Sequence, residues 1–312
     1  MTSSDRERLE ADLTFARTAE LFVDPVQGSF DAAHLKEVNR RIFQDLPAAG
    51  FDDVTPGVFR PAVDGQDWLK ARGVTPRGQV FVAYSRMDVA AIGRLDAALQ
   101  TPLLTVLRDA KTAEAAKAFA DLYAELDYIH PFQDGNSRTL RAFTSQLAKS
   151  AGWHLDWARL GRTEQDRVQL YWARDKAVNA LALPHVQTEA TMKRLIRSQH
   201  AIPDSPKLHD LFGSVLRPSR ALMFETRPES VALREHPELI HAYNTVRAAT
   251  TFFQSKFPMN RLDVDAGIRA VVEHVQTQLN AGNVTNFGRG SEVADLSLTP
   301  GGQKGVDRGS ER

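Results

Sequence analysis

The residues best suited to chemistry lie between His130 and Arg141, in the order His-Pro-Phe-Gln-Asp-Gly-Asn-Ser-Arg-Thr-Leu-Arg. An imidazole can act as a general base, and a carboxylate such as that of Asp134 is the oxygen ligand that Mg²⁺ prefers. Arg138 and Arg141 are three residues apart, so both fall on one side of a helix, where two guanidinium groups suit a polyphosphate. The types and spacing of these four residues indicate a site for phosphoryl-type chemistry.

The backbone around these side chains favours the same interpretation. Pro131 disfavours a helical conformation at His130, so we expect a helix to end there and hold the imidazole at a helix-to-loop edge. The residues Asp134-Gly135-Asn136 predict a tight turn. The amides that follow would open the next helix, where unpaired donors and the positive end of the helix dipole bind anions.

The elements that must position this stretch are predicted to be mainly helices. Apolar residues at three- and four-residue spacing predict a helix over Thr112–Ile129 that leads directly into His130. Similar patterns predict helices over residues 6–22, 31–46, 87–99, 139–151 and 164–183. Residues 79–84 alone resemble a strand, with residues 76–78 as the turn of a short hairpin, and residues 50–75 are expected to form a long surface loop.

The overall composition excludes several classes of protein. Lys and Arg number 39 against 39 Asp and Glu, so no net field attracts the chain to nucleic acid, and we do not expect it to bind one. The 312 residues include no cysteine, which excludes disulfides and thiolate metal sites. The sequence contains neither a secretion signal nor a long apolar run, so we expect a cytoplasmic protein without membrane insertion. Export through a contact-dependent secretion system stays open.

The character of the chain changes after about residue 200, where four prolines divide it into short pieces: Pro203, Pro206, Pro218 and Pro228. Two helices are predicted beyond them, over residues 237–257 and 264–279. We therefore expect a catalytic domain over residues 1–200, a helical accessory region over 201–281 and a disordered tail over 282–312. The accessory region could serve as a dimerisation surface, an antitoxin dock or a targeting element.

The stretch from His130 to Arg141 resembles the signature of the Fic (filamentation induced by cAMP) and Doc family, His-Pro-Phe-x-Asp/Glu-Gly-Asn-Gly-Arg-x-x-Arg. The helix before the signature and residues 30–43 are similar as well, so the resemblance covers roughly residues 12–199. It implies a mainly α fold, a Fic-type helical bundle with a short β-hairpin flap. It also implies a protein adenylyltransferase, an enzyme that moves AMP from ATP onto a protein hydroxyl.

The resemblance assigns a role to each matching residue. His130 would be the catalytic base that deprotonates the Ser, Thr or Tyr hydroxyl of the target protein, and Asp134 would hold Mg²⁺. The ATP phosphates would be bound by Gly135, Asn136, Ser137, Arg138 and Arg141. The flap that binds the target by β-strand addition would be Val80, Phe81, Val82, Ala83 and Tyr84, although an ordinary buried strand fits this segment equally well.

Ser137 departs from the signature, which has glycine at this position. If the loop needs a positive φ there, a serine would be strained. Many Fic proteins also carry an inhibitory helix with the pattern Ser/Thr-x-x-x-Glu-Gly/Asn. Here only Ser3 to Glu7 has that spacing, and Arg8 follows it. We therefore expect no inhibitory glutamate in the chain, and a separate antitoxin becomes a natural hypothesis.

Two alternatives stay open at this stage. The same scaffold could transfer UMP, phosphocholine or phosphate, because base, metal ligand and anion-binding loop would be shared. The chain could instead be a non-catalytic plasmid-transfer or interaction module. With the motif nearly complete, we favour an enzyme, such as a bacterial toxin or effector.

Overall fold

The structure is a computed structural model and describes residues 3–64, 66–100, 103–285 and 287. It divides into two compact units, Met1–Leu216 and Arg217–Arg312. The helices of the first unit are α1 Ser3–Val23, α2 Ala32–Phe43, α3 Val89–Gln100, α4 Leu103–Asp109, α5 Thr112–Ile129, α6 Asn136–Ser150, α7 Glu164–Ala182, α8 Glu189–Ala201 and α9 Leu208–Val215. The mainly α fold with one hairpin confirms the predicted fold class.

Helix α5 forms the centre of the first unit, packed against α3, α6, α7 and α9. Its small and apolar residues leave little of it exposed, and Phe119 and Leu126 are fully buried. Because it is held on several sides, α5 presents the residue that caps its C-terminus, His130, from a rigid support. The predicted bounds of this helix agree with the structure.

The hairpin pairs β1, Trp68–Thr75, with β2, Gly78–Tyr84, in antiparallel register from Trp68↔Tyr84 to Thr75↔Gly78. The expectation of a surface loop over residues 50–75 was therefore wrong for β1. An irregularity between Ala71 and Gly73 interrupts the alternation of side chains, so the sequence of β1 carries no clear strand pattern. The unit also contains a short strand, β3, at Trp153–Leu155.

The predicted domain boundary at residue 200 falls inside the first unit. Helix α9 lies beyond that boundary, yet it packs on α5 and buries Phe212 completely. The division comes instead after Leu216, within the short strand β4, Leu216–Pro218. Prolines mark the ends of helices, and here they occur before the chain has left the first core.

The second unit is helical and has its own apolar core. Its helices are α10 Ser219–Thr226, α11 Glu229–Glu235, α12 Ile240–Lys256 and α13 Arg261–Asn280. Helices α12 and α13 approach closely at Gly267, where a Cβ atom would lie 2.5 Å from the ring of Phe253. Phe287 is buried in the same core, and the rest of the tail predicted to be disordered lies outside the described residues, apart from 282–285.

Within the described residues, no helix combines the length and the apolar character needed to cross a membrane.

Candidate active site

His130 caps the C-terminus of α5 in a left-handed backbone conformation, with φ 50° and ψ 59°. A side chain with a Cβ pays about 1–2 kcal/mol for this conformation, so the neighbouring contacts must hold it. The His130 amide donates to the carbonyl of Leu126 at 3.0 Å, and the buried Arg60 Nε donates to the His130 carbonyl at 2.7 Å. The imidazole therefore leaves a fixed backbone at the end of the helix.

The imidazole is enclosed by the hairpin and by α5. Its ring lies 4.0 Å from the Tyr84 ring and 5.5 Å from the Trp68 ring, and the residue is 8% exposed. Nε2 is 3.5 Å from Lys70 Nζ, and Nδ1 is 3.6 Å from Asp127 Oδ1. Because an ammonium group can only donate, Nε2 accepts, and the remaining proton belongs on Nδ1, towards Asp127.

The charge state of His130 follows from this enclosure. Burial lowers its pKa to about 4, although Asp127 opposes the shift, and Lys70 and Arg72 lower the pKa further. The imidazole is therefore neutral at neutral pH, the form that a general base requires.

Asp127 and Arg174 form an ion pair that is almost fully buried, with side chains 1% and 3% exposed. Arg174 Nη2 and Nε donate to the same oxygen, Oδ2, at 2.9 and 3.1 Å. Burial alone would raise the pKa of Asp127, but Arg174 and then His130 hold it below its usual range. The other oxygen, Oδ1, has no hydrogen-bond partner among the described residues and faces Nδ1 of His130.

The loop between α5 and α6 is fixed by two contacts within the motif. Gly135 has φ 74°, and a Cβ at this position would lie 1.9 Å from the ring of Phe43, so only glycine fits. The side chain of Asn136 accepts from the amide of Phe132 at 2.9 Å and donates to its carbonyl at 2.7 Å. Asn136 therefore braces the loop with its side chain and leaves its amide free.

The amides of residues 135–138 point out of the start of α6 without an intramolecular acceptor in the described part of the chain. Such a row of donors, at the positive end of a helix dipole, is suited to phosphate oxygens. Ser137 lies inside α6 and is not among the non-glycine residues with positive φ. The strain expected if this position needed a positive φ does not arise.

The two arginines of the motif differ in their surroundings. Arg138 forms an ion pair with Glu10 of α1, and its Nη1 donates to Thr14 Oγ1 at 2.9 Å. Arg141 has no carboxylate partner among the described residues; its Nε is buried without a hydrogen-bond acceptor, and its guanidinium lies 5.5 Å from the Trp157 ring. A carboxylate of the chain thus contacts the first arginine of the motif, Arg138, and among the described residues none contacts the second, Arg141.

Asp134 is exposed on the loop, close enough to Lys70 for their charges to interact. No cluster of three metal-ligating side chains occurs among the described residues. One carboxylate suffices for Mg²⁺ when phosphate oxygens and waters complete its coordination, as at many nucleotide sites. The donor set therefore fits a metal that arrives with a polyphosphate.

The predicted flap residues Val80, Phe81, Val82, Ala83 and Tyr84 form most of β2. The free edge of β2 is occupied: Phe81 N donates to Ser198 Oγ at 2.9 Å, and Ala83 N donates to Asn179 Oδ1 at 3.1 Å. In the described part of the chain, no strand pairs with the other edge of β1. A target strand that extended this hairpin would therefore pair with β1, which lies in the segment predicted to be a surface loop.

Four residues of the site were missed from the sequence: Glu10, Lys70, Asp127 and Arg174. Only Asp127 carried a usable signal, because it precedes His130 by three residues and so lies on the same face of α5. The others come from distant segments, and neither motif nor spacing connects them to His130.

A known protein family matches the part of the chain that carries this site. Residues 29–148 match the Fic/DOC family. The match covers α2, the hairpin, α5, the loop and most of α6, and the chain therefore contains a Fic/DOC family domain.

The chain is similar to two curated proteins, each over part of their length. It is 27% identical over 208 residues to protein adenylyltransferase VbhT of Bartonella schoenbuchensis, covering 65% of this chain and 39% of that protein. It is 27% identical over 135 residues to the probable protein adenylyltransferase y4lH of Sinorhizobium fredii, covering 43% of this chain and 60% of that protein. The chain thus spans less than two thirds of either relative.

Among solved structures, the chain is similar to BepC, a VirB-translocated effector protein of Bartonella tribocorum, crystallised with bound AMPPNP. The TM-score is 0.47 at 16% identity, and the alignment covers 70% of this chain and 89% of that one.

Proposed function

We propose that this chain is a protein adenylyltransferase that moves AMP from ATP to a Ser, Thr or Tyr hydroxyl of a target protein. The observation that carries the proposal is a buried, neutral His130 next to the open amides and arginines at the start of α6. A base beside an anion-binding helix terminus is the arrangement that hydroxyl attack on a phosphate requires. The relatives named protein adenylyltransferase support the same reaction.

In the proposed reaction, the target hydroxyl takes the place of Lys70 at Nε2 of His130. Nε2 accepts the hydroxyl proton as the oxygen attacks the α-phosphorus of ATP. The new bond joins the target oxygen to the α-phosphorus, the bond from that phosphorus to the bridging oxygen breaks, and pyrophosphate leaves. Asp127 Oδ1, 3.6 Å from Nδ1, would stabilise the imidazolium that forms.

The phosphates would be held by the loop and by the two arginines. The amides of Gly135, Asn136 and Ser137 would bind phosphate oxygens, Arg138 would pair with the β- and γ-phosphates, and Arg141 would fix the γ-phosphate. Asp134 would hold Mg²⁺, which neutralises phosphate charge when bound. The target segment would pair with the open edge of β1, which begins at Trp68, beside the base.

The decisive experiment uses ATP labelled at the α or the γ position, with purified protein, Mg²⁺ and cell lysate. We expect label from the α position on protein, and its loss in His130→Ala. The exposed histidine of β3 supplies the control, since His154→Ala should transfer label as the wild type does. Transfer from the γ position alone would mean that the chain phosphorylates its target and does not adenylylate it. Transfer only from UTP or CDP-choline would mean that the chain is a related transferase of UMP or phosphocholine.

The biological setting is proposed to be that of a bacterial toxin or effector, acting in the cytoplasm of the producing cell or of a cell that receives it. Growth arrest on expression of the wild type, but not of His130→Ala, would support a toxin whose activity a separate antitoxin restrains. If no nucleotide supports transfer while a partner of the chain is captured intact, the non-catalytic interaction module becomes the better account.

A further inference from the structure

A basic groove lies at the turn end of the hairpin, between that turn and helix α8. Its volume is about 550 Å³, and its charged or titratable lining residues are Arg77, Arg194, Arg197 and His200. None of the described residues that line it is acidic. In the part of the chain that the structure describes, none of the three arginines has a carboxylate within ion-pair distance. The formal balance of 39 basic and 39 acidic residues thus hides a local excess of positive charge.

The groove is a built part of the first unit because α8 holds the hairpin firmly. Thr75 Oγ1 donates to the Ala201 carbonyl at 2.8 Å, and Phe81 N donates to Ser198 Oγ at 2.9 Å. Arg194 places its guanidinium 5.7 Å from the Phe81 ring, which orients the charge towards the groove. His200 donates Nδ1 to the Ile196 carbonyl at 2.7 Å.

The same hairpin joins this groove to the catalytic base. Tyr84 contacts His130, and Gly78 lines the groove six residues earlier on β2. At a rise of about 3.3 Å per residue, the groove lies about 20 Å from the base along the strand. The groove is lined by residues of the turn, β2 and α8, so a target segment paired with β1 would meet it at the turn residue Arg77, roughly six residues from its modified hydroxyl.

We propose that this groove binds a carboxylate-rich segment of the target protein, about six residues from the hydroxyl that receives AMP. The inference rests on the proposed transfer to a protein hydroxyl. Three arginines without counter-charges attract an anionic partner, and guanidinium groups pair well with carboxylates. The open edge of β1 favours a polypeptide over a nucleic acid, because main-chain pairing along that edge needs a peptide backbone.

Binding is tested separately from catalysis. The full chain is titrated against a fluorescent peptide that carries a run of glutamates, a matched peptide with glutamines, and a single-stranded oligonucleotide. We expect the glutamate peptide to bind best, and the double variant Arg194→Gln/Arg197→Gln to weaken it roughly tenfold. Lys193→Gln, on the same helix but outside the groove and paired with Glu189, should leave binding unchanged.

Catalysis is followed in parallel as self-modification with α-labelled ATP, which needs no docked target. The double variant should keep this activity while it loses peptide binding. Equal binding of both peptides, equal losses in Lys193→Gln, or tighter binding of the oligonucleotide would each overturn the inference. If the wild type labelled neither itself nor any protein of the lysate, the proposed function would be wrong. The peptide titration would still test whether the groove binds a carboxylate-rich segment.

Discussion

The two ends of the hairpin differ in whether their positively charged side chains contact partners within the chain. At the end that covers His130, each cation contacts a partner: the buried Arg60 binds backbone carbonyls, the half-buried Lys70 approaches Nε2, and Arg72, which is more exposed, meets Tyr84 and Asp175. At the turn end, Arg77, Arg194 and Arg197 are exposed, without a carboxylate partner in the described part of the chain.

This difference indicates what each end can do. A buried charge must be paired, and the pairing fixes its position. A charge fixed in this way can orient a catalytic base or shift the pKa of that base. An exposed, unpaired charge costs little and stays available to a partner. The base end is therefore built for chemistry and the turn end for recognition, and the following predictions test that division.

The largest effect is expected at the pair that orients the base. In Asp127→Asn, an uncharged amide replaces the carboxylate that faces Nδ1 of His130, and we expect kcat to fall roughly 100-fold or more. Arg174 is left buried without a counter-charge, which should cost about 3–5 kcal/mol of the free energy of unfolding. Activity and chemical denaturation are both measured; all four tryptophans lie in the first unit, so their fluorescence reports its unfolding.

A second variant separates orientation from stability. Asp127→Asn/Arg174→Met removes both charges and should recover much of the lost stability, because no unpaired charge stays buried. Activity should nevertheless stay low, since Nδ1 still lacks a carboxylate. If activity recovered together with stability, Asp127 would be a structural residue and not the group that positions the base.

The sequence predicted the parts of this site that are local. The histidine, the anion-binding loop and the two arginines share one stretch of chain, so their spacing alone indicated a phosphate site. Apolar periodicity, which is also local, predicted α1–α3, α5–α7, α12 and α13, but not α4 or α8–α11. What the sequence did not predict are the contacts between segments, such as Asp127 with Arg174 or Glu10 with Arg138, which depend on the packing of helices far apart in the chain.

The hairpin shows a second limit of prediction from the sequence, because only one of its two strands has a clear pattern. The apolar run of β2 predicts a strand, and its residues are buried as such a run requires, whereas β1 falls in the predicted loop over residues 50–75. An open edge strand with an irregularity has weak alternation, since one edge meets solvent and Gly73 contributes no side chain. The strand best placed to meet a target was therefore the one that periodicity could not find.

The next effect is expected at Arg138, where the pairing of a cation competes with its proposed role. Replacing Glu10 by Ala frees this arginine for phosphate, so we expect the Kd for ATP to fall two- to fivefold; the pair is about one third exposed and its loss costs little. Isothermal titration with ATP and Mg²⁺ measures the change. Glu20→Ala is the matched control, because Glu20 lies on the same helix and pairs with Arg17.

The opposite result would be equally informative. Weaker ATP binding in Glu10→Ala would mean that the carboxylate orients Arg138 for the phosphates and does not compete with them. In that case the arrangement at the motif would follow the same rule as the base end of the hairpin, where pairing fixes a charge in its working position.

A smaller effect is expected from Lys70, the cation nearest the base. Lys70 lowers the pKa of His130, so Lys70→Met should raise that pKa, by less than about one unit. The acid limb of the pH profile of kcat/KM should move upward accordingly, with little change near pH 8. Lys70→Arg keeps the charge and should keep the limb in place; an unchanged profile in Lys70→Met would show that Lys70 does not act on the base.

The smallest effect is expected at Asp175. Its Oδ1 lies 3.5 Å from Arg72 Nε, and burial raises the pKa of its carboxyl group to about 6. Because the folded state holds this proton more tightly than the unfolded chain, stability falls as the pH rises from about 4 to 6. Asp175→Asn removes the fall and should stabilise the first unit by on the order of 2 kcal/mol at pH 7, but not at pH 4. Denaturation followed by tryptophan fluorescence at both pH values measures this. A variant destabilised at pH 7 would mean that the ion pair with Arg72 outweighs the cost of burying the Asp175 carboxylate. In that case this buried charge, too, is stabilised by its partner at the base end of the hairpin.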